Sequence, residues 1–371
     1  MLKILELFGG IGACSKALER LGIDYEIADY VEIDKYAVKS FNAIHNTNFE
    51  PQDITKWDKD IEVDLVMHGS PCQDISLAGL QKGADEGSGT RSSLMYETIR
   101  IVDKLKPKYV IWENVKNVIS KKHIHNFNNY INKMNELGYT SYYQVLNAKD
   151  YGIPQNRERV FTISIRNDID TGFVFPQKQE LKLKLKDMLE DKVDEKYYLS
   201  EKMINFFYKN EQVQKEKGNG FRFGVSDGNV VAKAVTTRAG SRMDDNFIKI
   251  KNNTKKGYLE AYPGDGIYTN TSTKRGTVQS QSIQTITTFQ DKGVVLENLR
   301  IRKLTPKECW RLMGFSDSDY EKASKCNSNT QLYKQAGNSI VVNVLEAILK
   351  NLLLEGEREI TRGQTSIYDF I

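Results

Sequence analysis

Ile4-Leu5-Glu6-Leu7-Phe8-Gly9-Gly10-Ile11-Gly12 is the stretch that decides the fold. A run of strand character ends in a glycine-rich turn, and helix-period sequence continues to about residue 21. Such a turn is where a nucleotide-like ligand meets a helix N-terminus at the carboxyl end of a first strand. The glycines let ligand atoms close on the backbone, and the Phe8 ring ahead of them suits stacking on adenine. Glu32 follows about twenty residues later, at the end of the next strand, where a carboxylate accepts both ribose hydroxyls and disfavours a 2′-phosphorylated cofactor. The pattern departs from the dinucleotide fingerprint, because Ser15 stands where its third glycine would fall. Asp53, after a short strand-like region, is placed to take an adenine amino group.

Outward from this turn, strand-length apolar runs alternate with helical ones: strands over 2–7, 25–31, 63–68 and 108–112, and helices over 12–21, 35–45, 94–105 and 124–137. Further strands are expected near 142–147 and 160–165. This alternation predicts a doubly wound, Rossmann-like α/β domain. Residues 80–93 carry three glycines and no apolar period, which marks a long loop of the kind used as a lid. After Pro176 a Lys/Glu-rich helical stretch is expected, then short strand-like pieces without βαβ order. Within 221–280, ten Lys/Arg stand against five Asp/Glu, a local excess of positive charge. Residues 339–354 read as an apolar helix capped by Asn338 or Ser339, and a polar tail follows from Glu355.

Composition excludes more than it assigns. At 371 residues with 39% hydrophobic and 27% charged, the chain can bury a large core and a smaller domain, so a disordered or fibrous protein is disfavoured. A formal charge of +4 permits a polyanionic partner without requiring one. Four cysteines without a C-x-x-C or a Cys/His cluster support neither a disulfide framework nor a structural zinc, and fit a reducing cytoplasm. No charged leader precedes the first strand and no apolar run reaches about 18 residues, so neither export nor a membrane is expected.

Two strand ends carry chemistry. Strand 63–68 runs into Gly69-Ser70-Pro71-Cys72-Gln73, and strand 108–112 into Glu113-Asn114-Val115. In a parallel sheet both ends reach the ligand-binding edge, so separate strands deliver a thiol and a carboxylate beside the cofactor. A lone cysteine is often a small core residue; the Gly-Ser-Pro lead and the polar sequence after Cys72 argue against that here. In Gln155-Asn156-Arg157-Glu158-Arg159, extended backbone puts Gln155, Arg157 and Arg159 on one face, where two arginines grip phosphate or a carbonyl oxygen.

These residues, in this order and spacing, resemble the motif set of the C5-cytosine DNA methyltransferases of bacterial and phage type. Downstream, Arg300 to Phe315 resembles the family's ninth motif and Gln335-Ala336-Gly337-Asn338-Ser339 its tenth. Glu6 stands where many members have Asp, and Ile75 where many have Phe or Leu. The resemblance implies a catalytic and cofactor domain over 1–175 completed by 331–355. It further implies a smaller, mostly irregular β target-recognition domain over 176–297, a hinge and return segment over 298–330, and a tail over 356–371. Gln284-Thr285-Ile286-Thr287 and Ala234-Val235-Thr236-Thr237 are both similar to a short Thr-containing element of the recognition region.

The resemblance also implies roles. Cys72 adds to C6 of cytosine, Glu113 holds N3 and the exocyclic amino group, Arg159 contacts O2, and Arg157 supports the strand or loop. S-adenosyl-L-methionine, leaving as S-adenosyl-L-homocysteine, would meet Phe8, Gly10, Ile11, Gly12, Glu32 and Ile33, then Asp53, Ile54, Pro71, Leu94, Asn338 and Ser339; no metal is implied. Double-stranded DNA would meet Gln73, Ser76, Arg238, Thr285 and Thr287, with the target base flipped out. The bulk reading adds a monomer in a bacterial or phage-infected cytoplasm; the resemblance leaves open a cognate restriction endonuclease as a cellular partner or a solitary or phage-borne enzyme. The tail Gln364-Thr365-Ser366-Ile367-Tyr368-Asp369-Phe370-Ile371 resembles a sliding-clamp-binding peptide.

Overall fold

A computed structural model of the chain describes residues 1–71, 94–218, 223–226, 228–237, 239, 242, 245–250, 266–270, 275–279, 292–294 and 300–354. Cys72, Gln73, Ile75, Ser76, Arg238, Thr285 and Thr287, the 80–93 loop and the tail lie outside these residues. Contacts within the chain divide it into two compact units. One comprises Met1–Leu189, Val230–Ala239 and Thr305–Ile371, the other Glu190–Asn229 and Gly240–Leu304.

The first unit is built on a sheet of β1 (Leu2–Leu7), β2 (Tyr25–Val31), β3 (Leu65–His68), β4 (Tyr109–Val115), β5 (Tyr139–Asn147) and, past the two-residue β6 (Gln155–Asn156), β7 (Glu158–Arg166). The order is β2-β1-β3-β4-β7-β5. Strands β2, β1, β3 and β4 pair in parallel, whereas β7 runs antiparallel to both β4 and β5. The sheet is therefore mixed at one edge. Residues 148–157, which link β5 to β7, are too few for the crossover of a dozen or more residues that a parallel return needs.

Helices cover both faces because the strands alternate. Leu5, Leu7, Val31, Val66, Val110 and Trp112 pack with α3 (Met95–Leu105) and α4 (Ile124–Glu136), reached past α1 (Ala13–Leu21) and α2 (Lys35–His45). Tyr30, one residue from Val31, points to the opposite face and packs with Val38 and Phe41 of α2. The central strands are buried almost throughout, which is why they read as continuous apolar runs. The strand path turns back at β1, whose neighbours β2 and β3 lie on either side, so the ligand-binding crevice opens beyond the carboxyl ends of β1 and β3.

In the second unit, α5 (Glu201–Glu216) follows an irregular stretch. The Lys/Glu-rich helical stretch expected after Pro176 is this helix, which begins only at Glu201; at 181–184 leucines and lysines alternate and no apolar stripe of helical width forms. The core here is Phe207, Phe223, Phe247 and Ile301. Strands β8 (Val225–Ser226), β10 (Phe247–Ile250) and β14 (Arg300–Lys303) form one sheet, and β11 (Gly266–Asn270), β12 (Arg275–Gln279) and β13 (Lys292–Val294) another. Strand β9 (Ala232–Lys233) belongs to the first unit and pairs there in parallel with β6.

The chain closes with α6 (Pro306–Arg311), α7 (Asp317–Ser324), α8 (Asn329–Asn338) and α9 (Val342–Leu353). The single helix expected from Ser339 is thus corrected. Asn338 ends α8, Ser339 is its C-cap, and α9 starts at Val342 behind Val341 with no side-chain cap. The Ser339 hydroxyl bonds to the Ile340 carbonyl instead. No helix among the described residues is long and apolar enough to cross a membrane.

Candidate active site

Glycine-loop geometry follows from backbone that most residues avoid. Phe8, Gly10 and Gly12 have φ of 53°, 56° and 80°. Gly12 caps α1 in the left-handed conformation, and a methyl group there would lie 2.2 Å from His45 Nε2 and 2.8 Å from Phe41. Nothing lies within 4 Å of the corresponding position on Gly10. Only Gly10 of the two therefore leaves open space, as an approaching ligand requires. Its N–H donates to Glu32 Oε2 at 3.2 Å, and the Tyr30 hydroxyl donates to its carbonyl at 2.6 Å. The Asp34 N–H donates to the other Glu32 oxygen at 2.8 Å.

Burial pushes the Glu32 carboxyl above its ordinary range, against the pull of the Asp34, Gly10 and Ile33 N–H groups. Phe8 is half-buried against the α3/α4 cluster, and Ile33 beside Glu32 is 70% exposed. Asp53 spends Oδ1 on the Thr55 N–H and hydroxyl as a cap of a short helical turn, and Ile54 behind it is buried. Pro71 and Leu94, both half-buried, are the described residues that flank 72–93.

At the adjacent strand ends, Arg159 Nε stands 3.0 Å from Glu113 Oε1. The pairing follows from register: Val115 lies opposite Arg159 in the antiparallel β4–β7 ladder, two residues from Glu113. Burial raises the Glu113 carboxyl above its ordinary value, opposed by Arg159 and Arg157. A methyl group built on Gly69 would lie 3.5 Å from Ile340 Cδ1 and 3.6 Å from Glu113 Oε2. The Gly69-Ser70-Pro71 approach to Cys72 therefore passes directly beside the carboxylate. Ser70 is held there by the Trp112 indole N–H at 3.0 Å and the Asn114 amide at 3.4 Å.

With this geometry in place, comparison with known proteins is decisive: residues 2–354 match the family described as C-5 cytosine-specific DNA methylase. The chain belongs to that family. Among similar family members are the type II methyltransferase M2.ScrFI of Lactococcus lactis subsp. cremoris, 35% identical over 95% of this chain and 99% of its own, and the orphan methyltransferase M.SPRI of Bacillus phage SPR, 34% identical over 95% and 97%. The type II methyltransferase M.HhaI of Haemophilus parahaemolyticus is 34% identical over 95% and 94%. Of solved structures, the S. pombe Dnmt2 methyltransferase superposes with a TM-score of 0.65 at 19% identity, covering 96% of this chain and 99% of that one, a likeness of fold.

Within this methylase fold the expected shared face of Gln155, Arg157 and Arg159 is corrected. The extended strand breaks at Arg157, between β6 and β7. Arg157 is 4% exposed and donates to the carbonyls of Val235, Gly337 and Ser339, while Arg159 turns to Glu113. Of the two tenth-motif residues expected at the cofactor, Asn338 is exposed and Ser339 is buried.

Sequence reasoning missed Gly69, Ser70, Tyr30 and Ile340. Only Gly69 had a signal, a glycine directly after a strand; the others act through contacts set by packing. His68, at the end of β3, is a buried core group: burial holds its pKa down to about 3, and it sits between the Tyr130 hydroxyl and Thr98. A cavity of about 510 Å³ opens among Lys16, Arg20, Arg311, Asp317 and Asp319, and none of the expected site residues that the structure describes lines it. Lys16 with Asp319, and Arg311 with Asp317, already neutralise one another there.

Proposed function

We propose that this chain methylates C5 of a flipped-out cytosine in a defined duplex DNA sequence, as a DNA (cytosine-5-)-methyltransferase that needs no metal. The observation that carries the reading is the pairing of the buried Glu113 with the half-buried Arg159 beside the Gly69-Ser70-Pro71 lead to Cys72, one strand from the open Gly10 turn. S-adenosylmethionine, which supplies an activated methyl group, fits that turn: Gly10 leaves room, Glu32 stands at the end of the adjacent strand β2, and Asp53 caps a short helical turn farther along the chain.

Cytosine C5 is a weak nucleophile until something adds to C6. The Cys72 thiolate makes that addition. Glu113, whose burial favours the protonated form, donates to N3 and offsets the negative charge that addition places on the ring. Arg159 holds O2 and orients the base. Once C5 is methylated, its proton leaves to a base, which water can supply, and the thiol is eliminated. The acting molecule would be cytoplasmic, with duplex DNA as substrate; a restriction endonuclease of the same specificity and a sliding clamp at residues 364–371 are the proposed partners.

Sequencing cytosine methylation in DNA from a host expressing the gene tests this, with Cys72→Ser as control. Methylcytosine in one short sequence, with the active gene only and unaffected by chelators in vitro, is the expected result. Its absence, from soluble protein that binds S-adenosylmethionine, would overturn the reading.

A further inference from the structure

We propose that Arg157 is a positioning residue: its guanidinium, with Gln155 and Gly337, pins residues 230–239 to the catalytic unit and so sets how the enzyme reads DNA beside the flipped base. The inference rests on the DNA-methylating reading above.

The chain on either side of this segment belongs to the second unit, yet 230–239 belongs to the first. Backbone fastenings hold it there. Leu185 N–H donates to the Val230 carbonyl at 2.9 Å, Ala232 N–H to Pro154 at 2.8 Å, and β9 pairs with β6. Side chains add the rest. Val235 N–H donates to Gln155 Oε1 at 2.8 Å, and Arg157 Nη1 to the Val235 carbonyl at 3.1 Å. The other amino group, Nη2, donates to Gly337 at 3.0 Å and Ser339 at 2.9 Å. One buried fork therefore grips two chain segments, a geometry that lysine, with a single nitrogen, does not reproduce.

Gly337 makes the close approach possible. A methyl group there would lie 2.3 Å from Thr237 N and 2.5 Å from Thr236 C. The clamp acts on the site at two places. Ile340, next to the gripped Ser339, packs over Gly69 near Glu113. Arg159 follows Arg157 by two residues, so the side chain that grips Val235 and the one that pairs with Glu113 are carried by one short segment. Val235 is buried as the anchor and Thr237 is exposed, presented ahead of a turn in which Ala239 N–H bonds to the Thr236 carbonyl. Of the two Thr-containing stretches in the sequence, this is the one fastened to the catalytic unit among the described residues.

The test compares Arg157→Lys, Gly337→Ala and Thr237→Ala in the full chain. The first readout is the ratio of methylation rates on the recognised site and on sites altered at one base. Loss of folded enzyme lowers both rates alike and leaves this ratio unmoved. Each variant is expected to lower it by about tenfold, the scale of one lost base contact. The second readout is amide hydrogen exchange, in which Val235 loses protection in Arg157→Lys and Gly337→Ala and keeps it in Thr237→Ala. An unchanged ratio in Thr237→Ala, or unchanged Val235 protection in the two clamp variants, overturns the proposal. If the wild-type chain methylates no DNA, the functional reading falls by itself, and Val235 exchange still decides whether the clamp exists.

Discussion

Two carboxyl groups show how burial sets chemistry at single residues. Glu6 is buried under the glycine loop, and burial pushes its pKa up to about 7, against the pull of the Ser15 hydroxyl and the Ser15 and Cys14 N–H groups. The unfolded chain releases that proton near 4.5, so the folded state binds it more tightly. The resulting stabilisation is complete below the unfolded value and is lost as pH rises towards 7, on the order of 3 kcal/mol. Glu6→Gln is expected to flatten this dependence, its melting temperature gaining on the wild type from about pH 5 to pH 8; parallel melting curves would contradict the assignment. At Glu113 the balance involves a partner. Arg159→Ala removes the cation that opposes burial, and is expected to lower kcat by about 10²- to 10³-fold in single-turnover methyl transfer. At pH near 8 it should also destabilise the fold by up to about 3 kcal/mol, part of which Glu113→Gln restores in the double variant. A rate within tenfold of wild type would remove Arg159 from the chemistry.

Elements carry the next set of consequences. The glycine loop separates two functions that the sequence presents as one motif. Gly12 is needed by the fold, since a side chain there meets α2, whereas Gly10 faces open space. Gly12→Ala is therefore expected to lose both thermal stability and S-adenosylmethionine binding. Gly10→Ala should cost about 1–2 kcal/mol for its left-handed backbone while weakening the cofactor at least tenfold, read by calorimetric titration beside melting curves. Equal losses of stability in both variants would show that the loop is structural alone. At α6, Thr305-Pro306-Lys307-Glu308 forms a capping box with proline in the first turn, a signal written plainly in sequence. The α8–α9 junction shows the reverse: its polar Asn338-Ser339 pair reads as the start of a helix, but α8 ends there, where Arg157 holds the Gly337 and Ser339 carbonyls.

Over the whole molecule, charge should govern DNA affinity. The surplus of basic residues in 221–280 implies phosphate contacts, so binding should weaken linearly on a log scale with salt. Replacing Lys255 and Lys256 with alanine is expected to reduce that slope by about 2 while leaving sequence preference in place; an unchanged slope would move the DNA interface elsewhere. The two units have separate cores, and residues 230–239 belong to the first although the chain on either side of them belongs to the second.

What sequence determined by itself was local: strand-length apolar runs and period-3.6 patterns placed β1 to β4 and α1 to α4 within a few residues, and glycines, a carboxylate and a cysteine marked the strand ends that carry chemistry. Tertiary structure alone decided the rest. The antiparallel insertion of β7, which brings Arg159 to Glu113, depends on pairing between strands that no local pattern encodes. The parting of Arg157 from Arg159 depends on which carbonyls lie within reach of a buried guanidinium. Those carbonyls come from residues 235, 337 and 339, remote in sequence and adjacent only in the folded chain.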